Sequence, residues 1–381
     1  MADKSPIEWT DATWNPIVGC SIVSPGCTNC YAMKMAGRIE AMGKVGAVAT
    51  PYAGTTKKVN GNTVWTGKLA MAPGHVLLKP LAWRAPRRIF VNSMGDLFHE
   101  DVPDAWIDKV FAVAAMCPQH TLQILTKRAN RMRRYLSDPA VVRRIYTLVC
   151  EMTVEHEPGI VLIASPQHEK NAPLGPRVYL GQWPLPNVWL GVSAERQQEA
   201  DERIPDLLAT PASIRFVSAE PLLGPIDFKR ICLLPKKPSA IRSGIHLDTL
   251  KGRYFESQVP YTGEWDVTGP APPSGTPAIH LDWIIAGGES GPDARPMHHT
   301  WVRAIRDQCA VAGVPFFFKQ WGAHRPLTPA EHSQACGAIL VGDDRYDPDG
   351  YMLKVGKKAA GRLLDGVEHN GMPELREVPA L

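Results

Sequence analysis

No apolar run in the 381 residues approaches the ~18 consecutive residues that a membrane-spanning helix needs. The first residues, MADKSPIEWTDATWNP, lack the basic and apolar sections of a secretory signal. The formal net charge of +4 is too small, for a chain of this length, to require a polyanionic partner. We therefore expect a cytoplasmic protein that does not enter the membrane.

The composition, with 44% hydrophobic and 21% charged residues, is that of a globular protein and excludes disorder as the main state. Seven short apolar runs recur along the chain, at residues 13–19, 87–93, 121–126, 187–193, 213–219, 282–287 and 315–319. Such near-continuous runs are typical of parallel strands that are buried on both faces. Helical patterns lie between them, over residues 104–116, 128–136 and 299–313, the last ending on a Gly that suits a helix C-terminus.

This alternation predicts an α/β fold, a partial (β/α) barrel of six or seven βα units. We assign the barrel to residues 1–325, with two irregular insertions near 151–186 and 231–281. The second insertion is rich in Pro and Gly and is much longer than a usual βα loop, so it is interpreted as an insertion or lid. Residues 326–381 are interpreted as a C-terminal extension.

Polar residues follow nearly every predicted strand. They are Asp96, Lys127, Arg128, Glu195, Glu220, Glu289, Ser290, Lys319 and Gln320, and the pair Gly287 and Gly288 precedes Glu289 after the sixth strand. A barrel collects the carboxyl ends of its strands on one face, where the active site is built. The alternative for Glu195, Glu220 and Glu289 is a solvated loop carboxylate or the partner of a helix N-terminus.

Three cysteines, Cys20, Cys27 and Cys30, lie within eleven residues in GCSIVSPGCTNC. Disulfides are rare in the cytoplasm, so a close triplet there indicates metal binding or catalysis. Three thiolates can hold three corners of an iron-sulfur cube and leave the fourth iron open. Pro25 fixes its backbone and Gly26 has no Cβ, so both help the loop to turn.

Two other interpretations of the triplet stay open. A structural zinc site needs four protein ligands, and the loop holds no His or fourth Cys, although folding could bring in His75 or His99. A disulfide between Cys27 and Cys30 would form a redox motif, which would not need Cys20. The remaining cysteines are interpreted as small buried hydrophobic residues: Cys117, Cys150, Cys232, Cys309 and Cys336.

A three-Cys loop after the first strand, an aromatic Tyr31 directly after the last Cys and then βα repeats resemble the radical S-adenosylmethionine (radical SAM) superfamily. The usual spacing there is C-x3-C-x2-C, whereas this chain has C-x6-C-x2-C. The stretches SMGDLFHEDVP, QILTKR, RFVSAEPLLGPID and IIAGGESGPDARPM are similar to a phage-associated three-Cys-motif family found in phages and bacterial genomes. That resemblance covers residues 5–325, and the family has no firmly assigned substrate.

The resemblance implies an enzyme in which Cys20, Cys27 and Cys30 ligate a 4Fe-4S cluster, and S-adenosylmethionine chelates the fourth iron. SAM would be cleaved reductively to start hydrogen abstraction from a substrate inside the barrel. An electron donor such as flavodoxin or ferredoxin would supply the electron. The alternative function is a non-catalytic phage accessory protein that binds zinc or a cluster and contacts nucleic acid or a protein partner.

The resemblance also suggests which residues hold SAM. Ser93 and Asp96, at the end of the second strand, are the candidates for its amine. Lys127 or Arg128 would pair with its carboxylate, because a cation matches that charge.

Residues of the fourth and sixth strands would hold the rest of SAM. Ser193 and Glu195 would meet the ribose hydroxyls. Gly287, Gly288 and Glu289 would line the adenine or substrate side of the pocket.

A nucleic-acid substrate is a further hypothesis, because basic residues recur at helical spacing in Lys127, Arg128, Arg131 and Arg134. A solvated helix face is the alternative interpretation of that stripe. Four tryptophans could likewise stack on bases or fill a core: Trp9, Trp14, Trp65 and Trp83.

Overall fold

A computed structural model describes residues 5–45, 50–156, 161–163, 177–179, 181–232, 244–257, 279–328, 331, 337–341 and 350–374. Its centre is a sheet of seven parallel strands that pair in chain order. The strands are β1 (Ala12–Trp14), β2 (Arg88–Val91), β3 (Thr121–Thr126), β4 (Val188–Ser193), β5 (Ile214–Ala219), β6 (Trp283–Gly287) and β7 (Phe316–Gln320). Each of the seven predicted runs overlaps one of these strands, and the α/β prediction is confirmed.

Six helices of eight or more residues connect or flank the described strands. They are α1 (Tyr31–Val45), α2 (Asp104–Ala115), α3 (Ala129–Leu136), α4 (Ala140–His156), α5 (Gln197–Leu208) and α6 (His299–Ala312). Short helical turns cover Pro25–Cys27, Gly74–Leu77, Lys79–Ala82 and Lys357–Ala360. The three predicted helices are present, and Gly313 ends α6 with a left-handed backbone at φ 73°. None of the helices in the described ranges has the length and hydrophobicity to cross a bilayer.

Trp9 shows that the sheet curls. Its ring centroid lies 4.8 Å from that of Phe90 on β2 and 6.1 Å from that of Trp283 on β6. Neighbouring strands are about 4.8 Å apart, so in a flat sheet β2 and β6 would be separated by roughly 19 Å. Both rings reach the same indole only because the sheet bends around it. The described strands thus form a half-barrel in which β1 and β7 are the two edges.

The two faces of the sheet have separate apolar cores. Trp9, Phe90, Phe216, Trp283 and Phe317 pack together inside the curl. The outer face carries the larger core, and the helices cover it with apolar side chains at helical spacing. With its interior filled by aromatic rings, the half-barrel is a rigid base for the loops at its rim.

The predicted insertions are only partly within the described residues. Residues of the second insertion form a three-stranded antiparallel sheet of Ile231–Cys232, Gly244–Asp248 and Arg253–Ser257. Most of the predicted lid, at 233–243 and 258–278, lies outside the described residues. The first insertion contributes the parallel pair Val161–Ile163 and Arg177–Tyr179.

Small antiparallel pairs of strands lie beside the central sheet. They are Ile17–Val18 with Ala70–Met71, Thr56–Val59 with Asn62–Trp65, and Tyr351–Lys354 with both His324–Pro326 and Ala338–Leu340. Residues beyond 325 also pack on β7, because the Gly371 amide donates to the Phe316 carbonyl at 2.9 Å. The Trp283 indole donates to the Gly371 carbonyl at 2.7 Å. The C-terminal extension therefore covers the β7 edge of the half-barrel.

Candidate active site

A cavity of about 470 Å³ opens at the carboxyl ends of the strands. Its wall includes most of the predicted site residues, namely Cys20, Cys27, Cys30, Ser93, Asp96, Lys127, Arg128, Ser193, Gly288 and Glu289. Glu195 and Gly287 lie behind this wall, in contact with residues that line it. The structure thus brings together residues that are up to 269 positions apart in the chain, between Cys20 and Glu289.

The three cysteines lie on one loop between β1 and α1. Cys27 ends the helical turn that Pro25 begins, and Cys30 directly precedes the first residue of α1. All three are free cysteines, so the structure has no Cys27–Cys30 disulfide. Three soft sulfur donors on the wall of one cavity suit the three protein-bound irons of a 4Fe-4S cluster.

Burial raises the pKa of the Cys20 thiol to about 12, and the nearby charge of Asp96 adds to this effect. Because the three cysteines line one cavity, negative charge on Cys27 or Cys30 raises the pKa of Cys20 further. Burial also raises the pKa of Cys30. Metal ligation requires thiolates, so binding a metal here would displace protons.

Arg128 is the first of three charged groups that hold the Cys loop. Its Nη1 lies 3.5 Å from Cys20 Sγ, within hydrogen-bonding distance for sulfur, and donates to Asp96 Oδ2 at 3.2 Å. Its Nη2 donates to both oxygens of Ser21, at 2.7 Å to Oγ and 3.2 Å to the carbonyl. The buried guanidinium therefore fixes the start of the loop and places a positive charge beside the Cys20 sulfur.

Asp96 holds the residues that follow β3. Its Oδ1 accepts hydrogen bonds from Thr126 Oγ1 at 2.6 Å and the Phe98 amide at 3.0 Å. Its Oδ2 accepts from the Lys127 amide at 3.0 Å as well as from Arg128. With four donors already on its two oxygens, the carboxylate orients Lys127 and Arg128, which directly follow β3. A contact with the SAM amine stays a prediction.

Glu195 is the second charged group and is fully buried. Its Oε1 accepts from Ser24 Oγ at 2.9 Å and pairs with Lys127, and its Oε2 accepts from Arg203 Nη1 at 3.0 Å. Burial alone would raise the pKa of Glu195, but the charges of Lys127 and Arg203 outweigh it and hold the pKa below its usual value. A solvated carboxylate is therefore the wrong interpretation of Glu195.

Glu289 is the third group. Arg295 donates to both of its oxygens, from Nη2 at 2.7 Å and from Nε at 2.9 Å, and Asn29 donates at 3.1 Å. Burial raises the pKa of Glu289, but the hydrogen bonds from Arg295 more than offset this and lower it. Arg295 Nη1 also donates to the Pro25 carbonyl at 2.9 Å. Glu289 thus holds the Cys loop through Arg295 and Asn29, and it too is not a solvated carboxylate.

These contacts explain the long gap between the first two cysteines. Ser21, Ser24, Pro25 and Gly26 all lie in the gap, and each contacts Arg128, Glu195 or Arg295. The longer gap therefore supplies the points at which the rim of the half-barrel grips the loop. No local sequence pattern marks the partners Ser24, Asn29, Arg203 and Arg295, because their contacts join positions that are distant in the chain.

Gly287 and Gly288 allow close approach of other groups. A Cβ atom on Gly287 would lie 2.6 Å from Glu220 Oε1, and one on Gly288 would overlap the Trp321 carbonyl oxygen. A side chain at either position would push the carboxylate or the backbone away. Their contact with adenine stays a prediction.

Two serines complete the predicted set. Ser93 Oγ donates to Asn15 Oδ1 at 3.2 Å, and the Ser93 carbonyl accepts from Tyr31 Oη at 2.8 Å. Ser193, at the end of β4, is buried in the wall of the cavity. Both serines are placed where a ligand in the cavity can reach them.

The zinc interpretation depends on a fourth ligand. His75 is exposed and lies off the cavity wall, whereas His99 Nε2 lies 2.8 Å from Ser21 Oγ, next to Cys20. Burial and the charge of Arg128 lower the pKa of His99, which favours its neutral form. Within the described ranges, no three His, Cys, Asp or Glu side chains are grouped around one potential metal position. In a cluster each Cys binds a different iron, so the thiolates need not meet at one point.

The remaining cysteines and the tryptophans are placed as follows. Cys117 and Cys309 are buried as expected, Cys232 is partly buried, and Cys336 lies outside the described residues. The prediction is wrong for Cys150, which is exposed on α4. All four tryptophans are buried, as the core interpretation predicts, and two of them, Trp9 and Trp65, also line the cavity: the four are Trp9, Trp14, Trp65 and Trp83.

The basic stripe is not a continuous free surface. Arg128 is buried at the Cys loop, Lys127 pairs with Glu195, and Arg131 pairs with Asp104. Arg134 is exposed on α3. Nucleic-acid binding by this stripe stays a prediction.

No curated protein and no solved structure matches the chain. A family model described as "Protein of unknown function (DUF5131)" matches residues 4–373. Because this match spans nearly all of the chain, the protein belongs to the DUF5131 family.

Proposed function

We propose that the protein is a radical SAM enzyme. One observation carries the proposal: three free thiols line a single cavity at the carboxyl end of a curled parallel sheet. Cys20, Cys27 and Cys30 would hold three irons of a 4Fe-4S cluster. When bound, such a cluster supplies the electron for reductive cleavage of S-adenosylmethionine, and this starts hydrogen abstraction from a substrate.

The protein residues contribute a fixed and charged loop. Arg128 places its guanidinium within 3.5 Å of the Cys20 sulfur, where it stabilises negative charge on that ligand. Glu195 and Glu289 fix the middle and the end of the loop through Ser24 and Asn29. The three sulfurs are therefore positioned before a cofactor binds, which lowers the conformational cost of binding.

The cavity offers polar and cationic groups for the rest of SAM. Ser93 and Ser193 line its wall, and Lys127, with 18% of its side chain exposed, borders the space beside the Cys loop. The half-barrel below is filled with aromatic rings, so reactive species above it are screened from water on that side. An electron donor such as flavodoxin or ferredoxin would dock from outside.

Anaerobic purification tests the proposal. The wild-type protein should contain iron and sulfide, bleach on reduction and release 5'-deoxyadenosine from SAM. Cys27→Ala should lose both the cluster and the cleavage, whereas Cys150→Ala, at an exposed position on α4, should keep both. Cleavage of SAM by the Cys27→Ala protein would contradict the ligand assignment.

A second candidate function is a zinc-stabilised, non-catalytic accessory protein. His99 supports it, because this imidazole lies 2.8 Å from the hydroxyl of Ser21, the neighbour of Cys20. Purified protein that contains zinc alone, and that cleaves no SAM after reconstitution with iron and sulfide, would favour this function.

A further inference from the structure

The wall of the cavity after β5 and β7 carries polar groups that neither the Cys loop nor its anchors use. Ser218 is the second-last residue of β5 and Glu220 follows that strand, whereas Lys319 and Gln320 are the last two residues of β7. These residues lie next to each other around the rim, because β5, β6 and β7 are consecutive strands of the sheet. They border the same cavity as the three cysteines.

Glu220 and Lys319 form an ion pair on this wall. Lys319 Nζ lies 3.2 Å from Glu220 Oε1, and Ser218 Oγ donates to Glu220 Oε2 at 3.2 Å. Only 13% of the Glu220 side chain and 20% of the Lys319 side chain are exposed. A largely buried ion pair adds little to stability, because desolvation of both charges offsets their attraction. The pair does, however, present a strong acceptor beside a strong donor to the cavity.

Gly287 keeps this pair in place. A Cβ atom there would lie 2.6 Å from Glu220 Oε1 and 3.3 Å from the Gln320 carbonyl oxygen. The carboxylate occupies the space that a side chain of residue 287 would fill. The position of Glu220 thus depends on a glycine in the neighbouring strand.

We propose that Glu220 and Lys319 form a substrate subsite that binds an amide-type edge, in which an N–H donor adjoins a C=O acceptor. Glu220 accepts from the N–H and Lys319 donates to the C=O. The role of this subsite in selecting the substrate of the radical SAM reaction rests on the proposed function. Nothing in its geometry requires the cluster to be present.

Such an edge occurs on nucleobases and on peptide amides, and the cavity favours a nucleobase. Trp9, Phe90 and Leu125 line the same cavity and give it an apolar, largely aromatic floor. A planar ring can lie on such a floor while its edge meets a few polar groups, which is the usual composition of a small-molecule site. A peptide amide has no ring to use this surface.

Binding of uridine tests the proposal, because its N3–H lies between two carbonyl groups. The matched ligand, 3-methyluridine, keeps the ring and lacks the N–H donor. We expect uridine to bind about tenfold more tightly than 3-methyluridine in calorimetry, since a hydrogen bond to a charged group is lost. Equal affinity for the two nucleosides would overturn the proposal. It would also be overturned if the protein bound neither uridine nor N-acetylglycinamide, which serves as the peptide probe.

Two variants assign the effect to the subsite. Lys319→Met keeps the length of the side chain and removes the donor, and Gly287→Ala displaces the Glu220 carboxylate. Each should weaken uridine binding about tenfold, whereas Lys229→Met, at an exposed lysine outside the cavity, should not. Unchanged affinity in both subsite variants would place the ligand elsewhere. If N-acetylglycinamide binds and uridine does not, and if Lys319→Met weakens that binding, the subsite recognises peptide amides and the proposal of a nucleobase is wrong.

The same measurements on Cys27→Ala separate this proposal from the function. That variant should still bind uridine, because the subsite does not include the Cys loop. Uridine binding without SAM cleavage by the wild type would leave the subsite in place and contradict the radical SAM function. SAM cleavage by a wild-type protein that binds uridine and 3-methyluridine equally would support the radical SAM function and contradict the subsite.

Discussion

Gly26 lies directly against the side chain of Glu195: a Cβ atom on Gly26 would be 2.6 Å from Glu195 Cγ and would overlap its carboxylate. The same carboxylate accepts from Ser24 and pairs with Lys127 and Arg203. One buried charge thus connects the Cys loop to β3 and α5. The geometry of the three cysteines should therefore depend on Glu195 and Arg203, neither of which lines the cavity.

Gly26→Ala should weaken cluster binding without removing a sulfur ligand. The added methyl group would displace the Glu195 carboxylate or the loop, at a cost of about 1–3 kcal/mol in the free energy of unfolding. We expect lower iron and sulfide per protein after reconstitution, measured together with urea unfolding. Gly74→Ala is the matched control, because a Cβ there meets no atom within 4 Å. Full cluster content in Gly26→Ala would show that the loop tolerates the displacement.

Glu195→Gln should reduce stability in a pH-dependent way. Near neutral pH the change leaves Lys127 and Arg203 without their counter-charge, and we expect a loss of ~3 kcal/mol in the free energy of unfolding. The pKa of Glu195 is lower in the folded protein than in the unfolded chain, where it is about 4.3. The ionised carboxylate therefore makes its full contribution to the free energy of unfolding above that pH, and this contribution is lost as the pH falls through the pKa of the folded state.

Urea unfolding at several pH values checks this sign. The difference between wild type and Glu195→Gln should be largest near neutral pH and should shrink in acid. Glu202→Gln, on the exposed side of α5, should differ little from wild type at any pH. A difference that grows in acid would contradict the lowered pKa.

The central sheet was predictable because each of its strands has a local signature. The run at residues 187–193, for example, is apolar from Val188 to Val192, because this parallel strand is buried on both faces. The curl is less visible in the sequence, because it depends on Trp9 meeting rings from β2 and β6. The insertions could be recognised only by their composition, which does not specify a fold.

The site was predictable in its members and not in its connections. Strand-end position was enough to select Asp96, Glu195 and Glu289, because the carboxyl ends of parallel strands meet. Glu195 is fully buried and accepts a hydrogen bond from Arg203, and neither fact could be inferred from the sequence. A carboxylate at the end of a strand can be solvated or buried, and the local sequence does not distinguish the two. The pairing depends on how α5 packs against β4, which is a tertiary property.

Arg128 should set the reduction potential of a bound cluster. A positive charge beside the Cys20 sulfur stabilises the more negative, reduced form, so Arg128→Met should lower the midpoint potential by tens of millivolts. Arg128→Lys keeps the charge and loses the forked hydrogen bonds to Ser21 and Asp96, so its potential should lie in between.

A redox titration followed by electron paramagnetic resonance measures this potential. Arg131→Met is the control, because Arg131 pairs with Asp104 away from the Cys loop and its loss should leave the potential unchanged. Identical potentials in wild type and Arg128→Met would show that the guanidinium acts only on the backbone of the loop.

Cluster assembly should become more favourable as the pH rises. Burial and the charge of Asp96 raise the pKa of Cys20 to about 12, so at neutral pH the thiol is protonated and must lose its proton before it can ligate iron. Below that pKa the thiolate fraction increases about tenfold for each pH unit, so the initial rate of reconstitution should rise between about pH 7 and pH 9. Asp96→Asn removes one cause of the raised pKa and should shift this rise to lower pH, a change that charge-transfer absorbance can follow. A rate that does not change with pH would mean that the Cys20 proton is already lost before iron arrives.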